Sequence, residues 1–272
     1  MSGRRQLRGA CGREITHLAF PDSTSRFSGR SESYRLHRPG YPPAIVDSLA
    51  NECGLDRKSL VADIAAGTGL LAEIFLARGF RVIAVEPNRE MREACESLAS
   101  QYRKLACVNG TAEASGLEDR SVDLITVGQA MHWFDLKRTR SEFVRVLKSG
   151  GWCAVIYNNR RLSGDAFHEG YERILIEHGT DHGKVRDSHL DEDRLAAFFA
   201  LNTVRSATFK NAQHLTREGL MGRVLSSSYM PQPGHPGHEA MSRVLKAHFH
   251  EHQTSGHVRM EYDCVVCYGQ LG

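Results

Sequence analysis

Val61-Ala62-Asp63-Ile64-Ala65-Ala66-Gly67-Thr68-Gly69-Leu70-Leu71 decides the fold, because a short apolar run ends in an acid and then meets two closely spaced glycines. Val61, Ile64 and their apolar neighbours read as a buried strand, Gly67 and Gly69 as a tight turn, and Leu70 to Ala77 as the helix that the turn launches. A turn of this shape holds a nucleotide. Glycine lets the backbone approach a ligand where a Cβ would occupy the ligand's space, and the new helix offers unpaired N–H groups.

Two acids bear on which nucleotide. Asp63 ends the first strand, where a dehydrogenase grips a pyrophosphate and gains nothing from a carboxylate. S-adenosylmethionine (SAM) brings an ammonium and a sulfonium, and a carboxylate suits both charges. Glu86 ends the next apolar run, Arg81-Val82-Ile83-Ala84-Val85. An acid at the tip of a second strand takes both hydroxyls of a ribose, in NAD enzymes as well as in SAM enzymes. The glycines do not separate the two classes, since Gly67-Thr68-Gly69-Leu70-Leu71-Ala72 also satisfies the looser dinucleotide pattern. A dinucleotide-dependent oxidoreductase therefore stays open at this stage.

Outward from this stretch, strands and helices alternate. Leu60 to Ile64, Arg81 to Val85, Leu105 to Asn109, Val122 to Val127 and Gly151 to Tyr157 read as strands. Leu70 to Arg78, Arg89 to Ser100 and Leu136 to Leu147 read as helices between them. This alternation predicts an α/β fold with a parallel sheet covered on both faces and ligands at the carboxyl ends of the strands. Ala207 to Leu215 and Val258 to Tyr268 read as two further strands forming an antiparallel edge. Residues 158 to 203 interrupt the pattern with helix-like segments and are expected to form a cap over the pocket mouth.

Upstream, residues 1 to 25 carry Arg4, Arg5, Arg8 and Arg13 without apolar periodicity and read as a mobile tail. The domain proper is expected to run from 26 to 272. Tyr34-Arg35-Leu36-His37-Arg38-Pro39-Gly40-Tyr41-Pro42-Pro43 is too rich in proline for a helix and too aromatic for a free linker. It reads either as a packed connector or as a flap whose Tyr34 and Arg38 close over a cofactor, with Arg38 pairing a carboxylate. Ile45 to Cys53 is a short amphipathic helix.

Bulk properties exclude several classes. With 41% hydrophobic and 25% charged residues the chain is an ordinary globular protein. It has no apolar stretch of membrane-spanning length and no signal-peptide core, so the cytoplasm is the expected compartment and no membrane partner is expected. A net charge of +3 is too mild to argue for nucleic acid. Seven scattered cysteines fit reduced thiols. Cys264 and Cys267 sit three apart in a strand and so face opposite sides of the sheet, which argues against a shared metal. His248, His250 and His252 read as a solvated stretch sharing no helix face. No metal site is expected.

Together these residues resemble the class I SAM-dependent methyltransferases, in the methyltransferase type 11 branch near the trans-aconitate methyltransferase-like enzymes. The resemblance runs from about Arg26 to Leu271. It rests on Tyr34…Arg38-Pro39-Gly40-Tyr41-Pro42, on Asp63 to Gly69, on Glu86-Pro87-Asn88 with Met91, on Gly110-Thr111-Ala112-Glu113 and on Gln129-Ala130-Met131-His132-Trp133-Phe134-Asp135. The tail Met260-Glu261-Tyr262-Asp263 with Tyr268-Gly269 is similar to the family's last strand. The resemblance implies a Rossmann-like, seven-stranded, mostly parallel sheet with an antiparallel C-terminal edge strand. It implies SAM as cofactor, held at the methionine end by Asp63, Ala65, Gly67 and Gly69, at the ribose by Glu86, and beside adenosine by Pro87, Asn88 and Met91. Thr111, Ala112 and Glu113 would flank the adenine. Thr111 stands where many relatives have aspartate, and Ala65-Ala66-Gly67 where the family loop often reads Gly-Cys-Gly or Gly-Ala-Gly.

Gln129 to Asp135 follows the fourth strand, where cofactor and acceptor meet. His132 is the titratable side chain of that loop and reads either as a general base or as a cap for the helix starting near Asp135. Trp133 and Phe134 wall a pocket, shield a sulfonium or pack the core. Methyl transfer from a sulfonium needs alignment and dryness more than covalent help. The expected activity is methylation of a small-molecule acceptor at a carboxylate or hydroxyl by a monomer or homodimer. Methylation of RNA or protein, and a non-catalytic SAM-binding role, are the alternatives. Arg160 and Arg161 read either as ligands for an acidic substrate or as a solvated turn.

Overall fold

The computed structural model describes residues 31–180, 192–199, 204–227 and 229–271. The tail expected at residues 1 to 25 and the start of the resemblance at Arg26 lie outside them. The central apolar runs become strands because most of their side chains are buried on both faces, while the outer run 105–108 is only half-buried. The strands β1 (Leu60–Ile64), β2 (Arg81–Val85), β3 (Leu105–Val108), β4 (Val122–Gly128) and β5 (Leu147–Arg160) lie parallel. With β6 (Arg205–Leu215) and β7 (Val258–Gly269) they form one seven-stranded sheet of order β3-β2-β1-β4-β5-β7-β6. β7 runs antiparallel to both β5 and β6, so the expected antiparallel edge is the β6/β7 pair, with β6 outermost.

Helices cover both faces. On one face α2 (Ala44–Cys53) and α3 (Leu70–Ala77) bury Ile45, Leu49, Leu71 and Phe75 against Val61, Val82, Leu124 and Ile156. On the other, α5 (Leu136–Val146) buries Phe143 and Val146 against Ile64, Ile125, Val127 and Val155. α4 (Arg89–Glu96) places Cys95 beside Ala84. Cys264 belongs to the first of these layers and Cys267 to the second, on opposite faces as a three-residue spacing in a strand requires.

The described parts of 158 to 203, the stretch expected as a cap, go to two places. β5 continues to Arg160, and α6 (Ala166–His178) then joins α8 (Arg217–Leu225) and α9 (His238–His252) in a third apolar cluster that includes Tyr171, Leu220, Val224, Leu245 and Tyr262. α7 (Glu192–Phe199) goes elsewhere: its Phe198 meets Phe143 edge to face at 5.8 Å, and Arg140 of α5 donates to the Phe198 carbonyl at 2.9 Å. The rest of this stretch, residues 181–191 and 200–203, lies outside the described residues. The three alternating histidines also depart from expectation. His248 and His252 are one turn apart on α9, their rings 4.5 Å from each other, and His248 is buried with Nε2 at 2.9 Å from the Phe167 carbonyl.

The proline-rich stretch 34–43 begins as a helix after all. α1 (Ser31–His37) ends just before Arg38, the residue preceding Pro39, where the proline ring disfavours helical backbone. α1 packs closely on α8, since a Cβ at Gly222 would lie 2.2 Å from His37 Nε2. Among the described residues no helix is long and apolar enough to cross a membrane.

Candidate cofactor cleft

The strand order reverses between β1 and β4, and ligands of open α/β sheets bind outside the carboxyl ends at such a point. The backbone there is unusual. Ala65, after β1, has φ 55° and Gln129, after β4, has φ 58°, so two residues with side chains are held in left-handed conformations. Strain of this kind persists where the surroundings fix it and concentrates at functional sites. Gly67 and Gly69 also have positive φ, but they serve differently. A Cβ on Gly67 would meet nothing within 4 Å, which leaves room for a ligand, whereas one on Gly69 would lie 2.7 Å from Leu98 Cδ1 and 2.8 Å from Cys95 Sγ. Gly69 therefore lets α3 start against α4.

Asp63 and Glu86 stand at adjacent strand tips, because Ile64 is in register with Val85 and Asp63 with Thr126. Asp63 is 1% exposed, and its Oδ1 accepts from the Thr126 hydroxyl at 2.9 Å while Oδ2 has no partner. Burial pushes its pKa up from 3.8 to about 7, against the pull of the Thr126 hydrogen bond. Glu86 accepts from the Gly67 N–H at 2.9 Å and the Asn88 N–H at 2.8 Å, and so ties the glycine turn to the second strand. Arg92 donates to the Glu86 carbonyl at 2.8 Å and fixes the same tip from α4. Asn88 caps α4 by accepting from the Met91 N–H at 3.0 Å.

Two adjoining cavities open above these tips. The first, of about 560 Å³, is lined by Arg38, Asp63, Thr68, Asn158 and Arg223 among others. The second, of about 860 Å³, is lined by Glu86, Pro87, Asn88, Met91, Thr111, Ala112, Glu113, Trp133 and Phe134 among others. Tyr34, Ala65, Gly67, Gly128 and Gln129 line both, so the two form one cleft. The structure thus gathers Tyr34, Arg38, Asp63, Ala65, Gly67, Glu86, Pro87, Asn88, Met91, Thr111, Ala112, Glu113 and Gln129 around a single space. Gly69 and His132 are not among its lining residues.

His132 lies in a short 3-10 turn, Met131–Trp133, with its ring 4.6 Å from Trp133 and 6.5 Å from Tyr157. It does not cap the next helix either. Asp135 does, accepting from the Lys137 and Arg138 N–H groups at 3.1 Å, while Glu113 accepts from the Asp135 N–H at 3.0 Å. Arg160 and Arg161, expected as substrate ligands or a solvated turn, are paired with Glu172 and Glu261.

The chain matches the family model for a methyltransferase domain over residues 62–155. An uncharacterized methyltransferase of Mycobacterium tuberculosis is 34% identical over 211 residues, which cover 76% of this chain and 79% of that one. The chain belongs to the class I SAM-dependent methyltransferases. An uncharacterized methyltransferase of Bacillus subtilis is 30% identical over 195 residues and covers 69% of this methyltransferase. A solved structure from Anaeromyxobacter dehalogenans, a candidate type II methyltransferase, shares the fold with a TM-score of 0.62 at 21% identity, covering 86% of this chain and 98% of its own.

The cleft of this methyltransferase fits SAM on its own chemistry. The unpartnered Asp63 Oδ2 points to a missing cation, the open space at Gly67 to a close ligand, and the Glu86 carboxylate to hydroxyls. Among the cleft residues not expected from the sequence of this methyltransferase are Asn158, Tyr41 and Arg223. Asn158, at the end of β5, was within reach of the strand-tip rule. It donates to the Gly40 carbonyl at 3.1 Å and accepts from Asn211 at 3.0 Å. Tyr41 lies in the proline-rich stretch and its hydroxyl would be 2.6 Å from a Cβ on Gly128. Arg223 carries no local signal, because α8 reaches the cleft only through tertiary packing.

Proposed function

We propose that the methyltransferase methylates a small molecule bound in the first cavity, with SAM spanning both. One observation carries the reading: Asp63 and Glu86 flank the glycine turn on one cleft, one offering a free oxygen to an ammonium, the other a carboxylate to a ribose. When bound, SAM supplies an electrophilic methyl group on a sulfonium. Asp63 would hold the ammonium, Arg38 the carboxylate and Glu86 the ribose, while Pro87, Asn88, Met91, Thr111, Ala112 and Glu113 would surround the adenosine. Arg38 is suited to this, being stacked over Tyr34 at 5.0 Å with its Nε unpartnered and Nη2 donating to the Ser226 carbonyl at 2.9 Å. Trp133, Phe134 and Tyr34 exclude water and line the approach to the methyl group.

The base role expected for His132 is replaced in this proposal by support, with the imidazole bracing Trp133 from behind. Alignment is the main task left to the protein. The buried, unbridged thiols of Cys95, Cys153 and Cys264 support the cytoplasm as the working compartment. Isothermal titration with SAM, S-adenosylhomocysteine and NAD tests the cofactor. Micromolar binding of the first two without a signal from NAD is the expected result, and NAD binding without SAM binding overturns the proposal.

A further inference from the structure

Arg223 is 8% exposed and lines the first cavity together with Asp63, Gln129 and Asn158. Its hydrogen bonds are long and go to neutral groups, the Tyr262 hydroxyl at 3.5 Å and the Ser227 hydroxyl at 3.3 Å. A guanidinium stays protonated in a protein, and burying one without a counter-ion is costly. Arg160, its side chain nearly as buried, obeys that rule by pairing with Glu172. Arg38 and Arg223, the two that face the first cavity, pair with no carboxylate among the described residues. Burial and the charge of Arg223 both push the Arg38 pKa down, whereas burial of Arg223 is outweighed by the nearby Tyr262, Tyr171 and Tyr229, which push its pKa up.

Pairing the charges of the cofactor leaves a remainder. The first cavity has one lining acid, Asp63, and two arginines. The methionine end of SAM carries one ammonium, one carboxylate and the sulfonium. Asp63 answers the ammonium. Both arginines line the first cavity alone, but Arg38 stacks on Tyr34, which reaches both cavities, and so it answers the carboxylate. Arg223 and the sulfonium are then both without a counter-charge, and the acceptor must lie beside the sulfonium. Resting on the cofactor reading above, we infer that the methyl acceptor carries an anionic group, a carboxylate or phosphate, and that Arg223 binds it. A guanidinium fork matches either group through two parallel N–H···O bonds, and it would turn the acceptor toward the methyl group rather than merely attract it. Arg223 is thereby a residue that determines acceptor specificity.

The test loads the full-length protein with S-adenosylhomocysteine and titrates it with a panel of small carboxylates, phosphomonoesters and their neutral amide or alcohol counterparts. Turnover of the same panel with SAM is read as S-adenosylhomocysteine release. At least one anion should bind and turn over while its neutral counterpart does neither, and the carboxylate and phosphate arms identify which anion it is. Arg223→Gln should weaken that binding by roughly tenfold or more, with Arg223→Lys intermediate, because lysine keeps the charge and loses the fork. Both variants should bind S-adenosylhomocysteine within about twofold of the parent, which also reports that they fold, whereas Arg38→Gln should bind it more weakly. Neutral compounds preferred over every anion would overturn the inference. So would a loss of S-adenosylhomocysteine affinity in Arg223→Gln equal to that in Arg38→Gln, which would assign Arg223 to the cofactor's carboxylate. A parent protein that fails to bind S-adenosylhomocysteine would instead defeat the cofactor reading itself.

Discussion

Glu86→Gln is expected to weaken SAM binding by between about ten- and a hundredfold, matching the roughly 1.5 to 3 kcal/mol typical of a hydrogen bond to a charged group. The carboxylate is already an anchor for the turn. Its two oxygens accept from the backbone N–H of Gly67 at 2.9 Å and of Asn88 at 2.8 Å, and a carboxylate still has lone pairs left for the two hydroxyls of a ribose. Glutamine has the same shape but one acceptor oxygen. Its amide nitrogen must face either Gly67 or Asn88, donor against donor, so one anchor of the glycine turn is lost together with the charge. Calorimetry gives the affinity and a melting curve shows that the variant is folded. Unchanged affinity in a folded variant would remove the ribose from Glu86.

Asp63→Asn is the second large effect, and pH distinguishes it from the first. Asp63 titrates near 7 in the fold against 3.8 for an ordinary aspartate, because burial disfavours its charged form. A carboxyl whose folded pKa is raised adds its full stability below the unfolded value and loses it as pH climbs toward the folded one. The cost of ionising Asp63 therefore grows between about pH 4 and 7 and reaches on the order of 4 kcal/mol. An ammonium in the cleft reverses that preference. Below pH 7 the carboxyl must shed a proton to pair, so SAM affinity should fall by about tenfold per pH unit there and level off as pH reaches 7. The amide introduced by Asp63→Asn has no such proton to lose. The variant should bind SAM about a hundredfold more weakly than the parent at pH 8, show no slope below 7, and melt no lower than the parent at pH 8. A retained slope would place the titrating group elsewhere.

How much of this was readable before the structure depends on where the determining forces lie. β1 and β2 have the boundaries that the sequence predicts, because each is an apolar run closed by an acid or glycine within a few residues. β5 starts at Leu147 rather than Gly151. It pairs Val122 through a polar turn and a register shift that no apolar pattern marks. α7 has an amphipathic sequence that fits either a cap or the core, and its Phe198 settles on Phe143 through packing alone. The cleft follows the same division. Asp63, Glu86 and Gln129 lie at strand tips, where topology makes a site, and are legible as such. His132 follows the same tip, yet the turn Met131–Trp133 carries its ring against Trp133 and Tyr157. Arg223 comes from a helix remote in sequence and was invisible. Cofactor recognition thus rests on short motifs and acceptor recognition on distant packing, which is why the second is the harder to read.

The central claim is that the acids of β1 and β2 hold the two ends of one SAM molecule across the glycine turn. The most direct measurement is a crystal structure with S-adenosylhomocysteine. The account predicts the ribose hydroxyls within hydrogen-bond distance of Glu86, the amino group at the free oxygen of Asp63, and the sulfur beside Gln129. A ligand seated away from both acids, or inverted so that the adenosine meets Asp63, would contradict it.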